Sequence, residues 1–154
     1  LQKEIQYLLD NEVKGHGGEY QLTDALDRLL KDGKVFKKAT VDEWMDCGTL
    51  PAWLNTTGEI LKKEQHEYGS YEDTVIHPPV YIGEDVHITG SEIGPNVSIE
   101  AGSKIRNSNI KNSIIQNQSL LEGCDLNHST IGKHAKVLRV KGKIHIGDHS
   151  IIQE

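Results

Sequence analysis

The chain has 154 residues, enough for one large domain or two small ones, and its sequence changes character near residue 70. The net charge is −6 and the 17 Lys and Arg residues are scattered, so nucleic-acid binding is not expected. The chain does not open with a signal peptide and has no apolar run of the roughly 20 residues needed to cross a membrane, so a membrane location is not expected. The two cysteines match no metal-ligand spacing and favour a reducing cytoplasm.

Two amphipathic helices are predicted at the start of the chain. The opening LQKEIQYLLDNEV places apolar residues on one helical face: Leu1, Ile5, Leu8 and Leu9. TDALDRLLKDG predicts the second helix, with Thr23 as its N-cap and Gly33 as its C-terminal stop. GHGGEY between them contains three glycines and predicts a loop. Because the chain begins inside an amphipathic run, we expect it to be a piece of a longer protein.

The next segment predicts a short mixed α and β structure. Val35 to Val41 is predicted to be a strand, EWMDCGT a strand end that runs into a loop, and Pro51 to Lys63 a third helix with Pro51 in its first turn. These strands are too few to close a core, which predicts a missing N-terminal partner. The polar stretch KKEQHEYGSYED is predicted to link this half to the next.

From residue 76 onward, aliphatic residues recur about every six positions. This period fits neither a helix of 3.6 residues per turn nor an alternating strand, but it fits a β-helix whose chain turns a corner at every hexad. Five-residue steps recur at similar intervals, which predicts one shortened corner per coil. The beat consists of Ile76, Ile82, Ile88, Ile93, Ile99, Ile105, Ile110, Ile115, Leu121, Leu126, Ile131 and Val137, and after a break Val140, Ile146 and Ile152.

The residues between the repeated aliphatic positions are of types that suit the corners of a β-helix. Glycine and asparagine tolerate corner conformations. A β-sandwich would alternate more strictly and carry more aromatic residues, whereas Tyr81 is the only aromatic residue after residue 76. The corner candidates are Gly83, Gly94, Gly102, Gly123, Gly132 and Gly147, with Asn96, Asn107, Asn112, Asn117 and Asn127.

Two segments of the first half carry candidate binding residues. In GGEYQLTD, glycines present Glu19 at the mouth of a helix, where a carboxylate can accept hydrogen bonds from sugar hydroxyls. Alternatively, Glu19 and Asp24 are ordinary acids at a helix start. In EWMDCGT, Asp46 precedes a Gly turn, which suits a metal or phosphate ligand, but a carboxylate that caps a turn fits the same residues.

GGEYQLTDAL and WMDCGT, in this order and followed by hexapeptide repeats, resemble the C-terminal part of sugar-1-phosphate nucleotidylyltransferases. The likeness is strongest to the glucose-1-phosphate thymidylyltransferase type with a β-helical tail, and GGEYQLTDAL also looks like the uridylyltransferase relatives. The implied fold class is an α+β remnant of the catalytic α/β domain (residues 1–66), a linker (67–75) and an all-β left-handed parallel β-helix (76–154).

The resemblance implies a reaction and roles for particular residues. Members of the family join a nucleoside triphosphate, here dTTP or UTP, to a sugar 1-phosphate such as glucose 1-phosphate, with release of pyrophosphate and with Mg²⁺. Glu19, Gln21 and Thr23 would contact the sugar or its phosphate, Trp44 would wall the pocket, and Asp46 would be one of two metal ligands. Because the nucleotide-binding motifs precede Leu1 in the family, this chain alone should be inactive. The likeness of the repeats to other left-handed hexapeptide-repeat proteins implies a homo-oligomer, most simply a trimer.

Two other functions stay open. A hexapeptide-repeat acyltransferase would bind acyl-coenzyme A and use a His as general base, but we expect the β-helix histidines to be exposed corner or face residues. A purely structural domain would use the β-helix only to fix the oligomeric state. Those histidines are His77, His87, His128, His134, His145 and His149.

Overall fold

A computed structural model describes residues 1–64 and 66–154. The chain splits into two compact units, Leu1–Trp44 and Met45–Glu154. The first contains helix α1 (Gln2–Asp10), a 3-10 turn (His16–Gly18) and helix α2 (Leu22–Lys31), and the second opens with helix α3 (Leu50–Lys63). The strands that follow are β1 (Val75–Ile76), β2 (Val80–Ile82), β3 (His87–Thr89), β4 (Glu92–Ile93), β5 (Val97–Ile99), β6 (Lys104–Arg106), β7 (Asn109–Lys111), β8 (Ser113–Ile115), β9 (Leu120–Glu122), β10 (Asp125–Asn127), β11 (Thr130–Ile131), β12 (Lys136–Leu138), β13 (Lys141–Gly142), β14 (His145–Ile146) and β15 (Ile151–Gln153).

Helix α2 stops where the sequence predicts but starts earlier. Gly33 has a φ of 76°, the N–H of Lys34 donates to Leu29 at 2.9 Å, and the N–H of Gly33 donates to Leu30 at 3.0 Å. These bonds form a Schellman motif, so the predicted stop at Gly33 is confirmed. The prediction of Thr23 as N-cap is wrong, because the backbone turns helical after Gln21, which occupies the N-cap position.

The predicted strand at Val35–Val41 is wrong. This segment has no regular structure, and Val35 and Val41 are 89% and 68% exposed. A strand needs a neighbour for its backbone N–H and C=O groups, and no described residue pairs with this segment. The strand end predicted in EWMDCGT is absent from the described residues for the same reason. The β propensity of the two valines is therefore not enough to form a strand without a neighbouring strand.

The hexad repeat folds into a parallel β-helix of five coils, as the sequence predicts. Each coil gives one strand to each of three sheets: the first is β1-β4-β7-β10-β13, the second β2-β5-β8-β11-β14 and the third β3-β6-β9-β12-β15. The beat residues stack in register, for example Ile82 on Ile99 and Ile88 on Ile105. Most of these side chains are fully buried, so their columns form the core. The architecture is consistent with a left-handed β-helix.

The predicted shortened corner is confirmed between the third and first sheets, but it is not the only short corner. The steps from Ile110 to Ile115 and from Leu126 to Ile131, which run from the first sheet to the second, also take five residues. The five-residue steps from Ile88 to Ile93 and from Ile105 to Ile110 both run from the third sheet to the first, and the step from Leu121 to Leu126 does the same. At this corner, one residue per coil has a positive φ, in order Asp73, Gly90, Asn107, Gly123 and Arg139. The corner between the second and third sheets repeats the device with Asp85, Gly102, Gln118, His134 and His149. At these two corners, the left-handed conformation thus recurs at one place per coil and is not reserved for glycine.

Three of the predicted corner glycines do not adopt the left-handed conformation, and two of them permit close packing instead. Gly83, Gly132 and Gly147 have no positive φ. A Cβ on Gly132 would lie 2.4 Å from the carbonyl carbon of Gly147, and one on Gly83 would lie 2.8 Å from the N of Ala101. At Gly83 and Gly132, glycine permits the close approach of the next coil, which the hexad spacing does not distinguish from a turn.

The fifth coil departs from the predicted beat. Gly142 stacks on Leu126 in the first sheet, and Lys141 pairs with Asp125, so Val140 aligns with Cys124 two positions before the beat. Val140 is nevertheless buried, at 1% exposure. The prediction that the beat resumes at Val140 is therefore wrong in register, because an aliphatic side chain fills the neighbouring inward position.

Helix α3 is confirmed, with Pro51 in its first turn and Thr49 as its N-cap, whose hydroxyl accepts from the N–H of Ala52 at 3.3 Å. It belongs to the same compact unit as the coils. The division into compact units does not test the predicted domain limits, so the linker at residues 67–75 stays a prediction. Gln65, which belongs to the predicted first domain, lies outside the described residues. Among the described residues, no helix is long and apolar enough to cross a membrane.

Candidate functional site

Glu19 sits at the end of a closed loop. The N–H of Gly15 donates to the carbonyl of Glu19 at 2.9 Å, and the N–H of Gly18 donates to Gly15 at 3.2 Å. Gly17 and Gly18 have φ values of 78° and 77°, which side chains rarely adopt. The loop holds the backbone of Glu19 while its side chain stays exposed.

The two acids of this segment differ in position. Asp24 lies in the first turn of α2, and a Cβ on Gly15 would meet its carboxylate at 2.6 Å, so Asp24 leans over the loop. The reading as an ordinary helix-start acid suits Asp24. Glu19 precedes the N-cap residue Gln21 and lies outside the helix. Its placement is therefore set by the loop.

An ion pair joins the two helices that flank the loop. Arg28 Nε donates to Glu4 at 2.8 Å, and the Arg28 guanidinium lies 3.5 Å from the ring centroid of Tyr7. The hydrogen bond to Glu4 raises the pKa of Arg28 above its usual value. Leu8 and Ala25 are buried where the helices pack. The ends of the loop are thus fixed by packing and by a cation over an aromatic ring.

A small apolar cavity adjoins the predicted sugar-binding residues. Its volume is about 230 Å³, and it is lined by Ile5, Leu8, Leu9, Tyr20, Gln21 and Leu22. Gln21 lines it beside two residues that the sequence analysis did not select, Tyr20 and Leu22. Leu22 begins α2, whereas Tyr20 precedes the N-cap residue Gln21, so helical periodicity gives no signal for Tyr20. The structure keeps Glu19, Gln21 and Thr23 together in one segment of the first unit.

Trp44 and Asp46 occupy the junction of the two compact units along the chain. Trp44 ends the first unit and is 85% exposed, whereas Asp46 belongs to the second. The Asp46 carboxylate accepts from the N–H of Gly48 at 2.8 Å, and its carbonyl accepts from the hydroxyl of Thr56 at 2.8 Å. Asp46 therefore caps a turn, which was the alternative interpretation, and its carboxylate remains exposed.

The described residues alone do not complete a metal site. No group of three His, Cys, Asp or Glu side chains within them is placed to hold an ion. Magnesium binds through several oxygen ligands, commonly one or two carboxylates with phosphates and water. Asp46 offers one carboxylate, so the residues present do not by themselves fit the ion.

The histidines of the coils are all exposed, as expected. His134 and His149 stack at a corner with ring centroids 4.9 Å apart. His145 Nδ1 lies 2.9 Å from the hydroxyl of buried Thr130, and burial, followed by the charge of Lys143, lowers the pKa of His145. No acid partner for a general base is hydrogen-bonded to His145 among the described residues.

Comparison with known proteins identifies the relatives of this chain. No family model matches it. Over 131 residues it is 35% identical to the bifunctional protein GlmU of Campylobacter jejuni, an alignment that covers 82% of this chain and 30% of that protein. The chain is a homologue of the C-terminal part of GlmU. To the GlmU of Enterococcus faecalis it is 30% identical over 166 residues, covering 94% of this chain and 36% of that protein.

The homology to GlmU confirms the resemblance to a sugar-1-phosphate nucleotidyltransferase with a hexapeptide-repeat tail. The five coils of the structure agree with that tail. The chain spans about a third of the length of these GlmU relatives.

Proposed function

We propose that this chain is part of a sugar-1-phosphate nucleotidyltransferase, which joins a nucleoside triphosphate to a sugar 1-phosphate and releases pyrophosphate. The homology to GlmU over 82% of the chain carries the proposal. The GGEYQLTDAL and WMDCGT segments support it, and their likeness to thymidylyl- and uridylyltransferases favours dTTP or UTP with glucose 1-phosphate. The unpaired cysteines fit a reducing cytoplasm.

Within this proposal, the loop before α2 binds the sugar phosphate. Glu19 accepts hydrogen bonds from sugar hydroxyls, since its carboxylate is exposed on a loop whose backbone is fixed. Gln21 and Thr23 lie within four residues of it, at the start of α2. Trp44 covers one wall of the pocket with its exposed indole. Asp46 would hold Mg²⁺ through one carboxylate in the parent enzyme, and the second carboxylate would have to come from the part of that enzyme outside this chain.

The sugar-binding role is tested in the GlmU-like protein that carries this chain. Glu19→Gln should raise the KM for the sugar 1-phosphate by roughly tenfold and leave the KM for the nucleotide unchanged, because a charged hydrogen bond becomes a neutral one. Glu12→Gln, an exposed acid beyond α1, is the matched control and should change neither constant. Equal KM values for the sugar phosphate in both variants would refute the role of Glu19.

The metal-binding role has its own test. Asp46→Asn should lower kcat by tenfold or more and raise the Mg²⁺ concentration needed for half-maximal rate, whereas Asp42→Asn should not. The purified 154-residue chain should show no nucleotidyl transfer. Measurable transfer by that chain would contradict its expected inactivity, and an unchanged magnesium requirement in Asp46→Asn would contradict the metal-binding role.

A second candidate function is acyl transfer by the β-helix. The relatives are named bifunctional proteins, and a hexapeptide β-helix is the scaffold of many acyltransferases, which together favour this candidate. A calorimetric titration of the purified chain with acetyl-coenzyme A tests this second function. Saturable binding would support an acyl-donor site on these coils, and no heat at millimolar ligand would leave the coils with the assembly role alone.

A further inference from the structure

Two histidine rings stack on the corner between the second and third sheets. His134 belongs to the fourth coil and His149 to the fifth, and each takes the left-handed position of its corner, with φ values of 55° and 59°. Their ring centroids are 4.9 Å apart, and the ring planes differ in direction by 7°. Both residues are exposed. The spacing of the coils therefore presents two imidazoles to solvent as one pair.

The backbone beneath this pair is fixed by hydrogen bonds between coils. The N–H of His149 donates to the carbonyl of Lys133 at 2.8 Å, and the N–H of His134 donates to the carbonyl of Asn117 at 2.9 Å. The N–H of Lys133 also donates to Asp148 Oδ1 at 2.8 Å, which joins the fourth and fifth coils a second time. Because the backbone is already ordered, a ligand that bridges the two rings orders only side-chain torsions.

The ring nitrogens of the pair are available to a ligand. Neither ring forms a hydrogen bond or an ion pair with the described residues. Two other coil histidines differ, since His77 lies 3.2 Å from the carboxylate of Glu92 and His145 Nδ1 lies 2.9 Å from the hydroxyl of Thr130. Neutral imidazole is a common ligand of zinc and of other late first-row metals. The pair thus offers two unused metal ligands side by side.

The spacing of the rings suits a single ion after a small movement. Zinc binds imidazole nitrogens at about 2.0–2.1 Å in tetrahedral geometry, so two nitrogens on one ion lie about 3.4 Å apart. Rings with centroids 4.9 Å apart reach this separation when each ring tilts its nitrogen by roughly 1 Å towards the other. Such a tilt is accessible, because both rings are exposed and the χ2 torsion of histidine is broad.

The surroundings of the pair allow a cation to bind but do not complete its shell. Lys133 precedes His134 and Asp148 precedes His149, so the neighbouring charges offset each other. Among the described residues, no third His, Cys, Asp or Glu is placed with the pair, so water fills the other positions and the affinity stays below that of a structural zinc site. We propose that His134 and His149 chelate Zn²⁺ and thereby link the fourth and fifth coils. The inference does not depend on the proposed nucleotidyl transfer.

Titration of the isotope-labelled chain with Zn²⁺ tests the site. All proteins carry Cys47→Ser, which removes the exposed thiol as a competing ligand. The imidazole resonances of His134 and His149 should shift together, and the urea midpoint should rise with zinc, because an ion that binds only the folded chain stabilises it. His134→Asn and His149→Asn should each weaken binding roughly tenfold or more, since one imidazole cannot chelate. Asparagine tolerates the left-handed φ of both positions.

His128→Asn is the matched control. His128 is exposed and has the same φ of 55° as His134, but no second ring stacks on it among the described residues. This variant should bind zinc like the wild type. The proposal is wrong if millimolar Zn²⁺ shifts neither ring of the pair, or if His128→Asn loses as much affinity as His134→Asn. It is also wrong if only one of the two pair variants weakens binding, since a single imidazole would then hold the ion adventitiously. Glu19→Gln should leave zinc binding unchanged, which separates this outcome from that of the catalytic proposal.

Discussion

Small buried hydroxyls connect successive coils at the residue scale. Two positions before the beat, the Oγ of Ser108 accepts from the N–H of Cys124 at 3.0 Å and donates to Arg106 at 2.7 Å. Because a corner N–H falls outside the regular strand pairing, a side chain of the preceding coil must satisfy it. Six buried serines hold such positions: Ser91, Ser103, Ser108, Ser113, Ser119 and Ser129.

Ser113→Ala measures the value of one such hydroxyl. Ser113 is fully buried, accepts from the N–H of Ser129 at 3.1 Å and donates to the carbonyl of Lys111. Its removal leaves a buried N–H unpaired, so we expect the free energy of unfolding to fall by about 1–3 kcal/mol. Urea denaturation at fixed protein concentration measures this. Ser98→Ala, on an outward-facing position of β5, is the control, and an equal effect in both variants would remove the special role of Ser113.

His145 gives the coils an acid sensitivity. Burial and Lys143 lower its pKa in the folded chain, so the folded state binds fewer protons than the unfolded state as the pH falls through the unfolded pKa of about 6.5. Stability from this residue is therefore present above the unfolded pKa and is lost as the pH falls. Between pH 7.5 and 5.5, His145→Gln should flatten the decline of the urea midpoint relative to the wild type. Identical slopes in the two proteins would contradict this assignment.

At the element scale, the sequence predicts the repeated coils but not the structures that depend on a single contact with another part of the chain. The hexad repeat determines the coils because most of its aliphatic residues stack on an aliphatic residue of the next coil, with Leu126 on Gly142 as an exception. The Val35–Val41 strand fails because β structure depends on a partner that propensity does not supply. The hydrogen bond between the side chains of Asn96 and Asn112 was likewise not predicted, because the sequence identifies both only as corner residues and does not show that they stack in successive coils. The Glu19 loop was recognised from its glycines, but the Tyr20 cavity needed the packing of two helices.

Gly132→Ala tests how closely the coils stack. The added Cβ would lie 2.4 Å from the carbonyl carbon of Gly147 and 2.5 Å from the N of Asp148, which are backbone atoms that cannot rotate away. Overpacking of this kind costs about 1–3 kcal/mol, and hydrogen exchange should accelerate first in β14. Gly147→Ala meets no atom within 4 Å and serves as the control. Normal stability in Gly132→Ala would show that the fifth coil can shift without loss.

For the whole molecule, the three sheets differ in what covers them. Helix α3 shares cavities with residues of the second sheet, whose outward-facing Ile114 is 3% exposed. The third sheet presents exposed basic side chains at Lys104 and Lys136. The first sheet instead carries Glu92, which pairs with His77 at 3.2 Å and Lys111 at 3.3 Å. Because Lys111 offsets the charge of Glu92, the first sheet is not a match of opposite charge for the third. Contacts between different faces of neighbouring copies close into rings.

We therefore expect the chain to form a trimer at micromolar concentration, as the resemblance to hexapeptide-repeat proteins implies. Sedimentation velocity measures the state directly. If the basic face lies in the contact, Lys104→Glu with Lys136→Glu should shift the chain towards monomer, because like charges would then oppose. Lys37→Glu with Lys38→Glu makes the same change of net charge in the segment without regular structure and should leave the trimer intact. A wild-type monomer would contradict the assembly role, and a trimer that survives the third-sheet reversals would place the contact on another face.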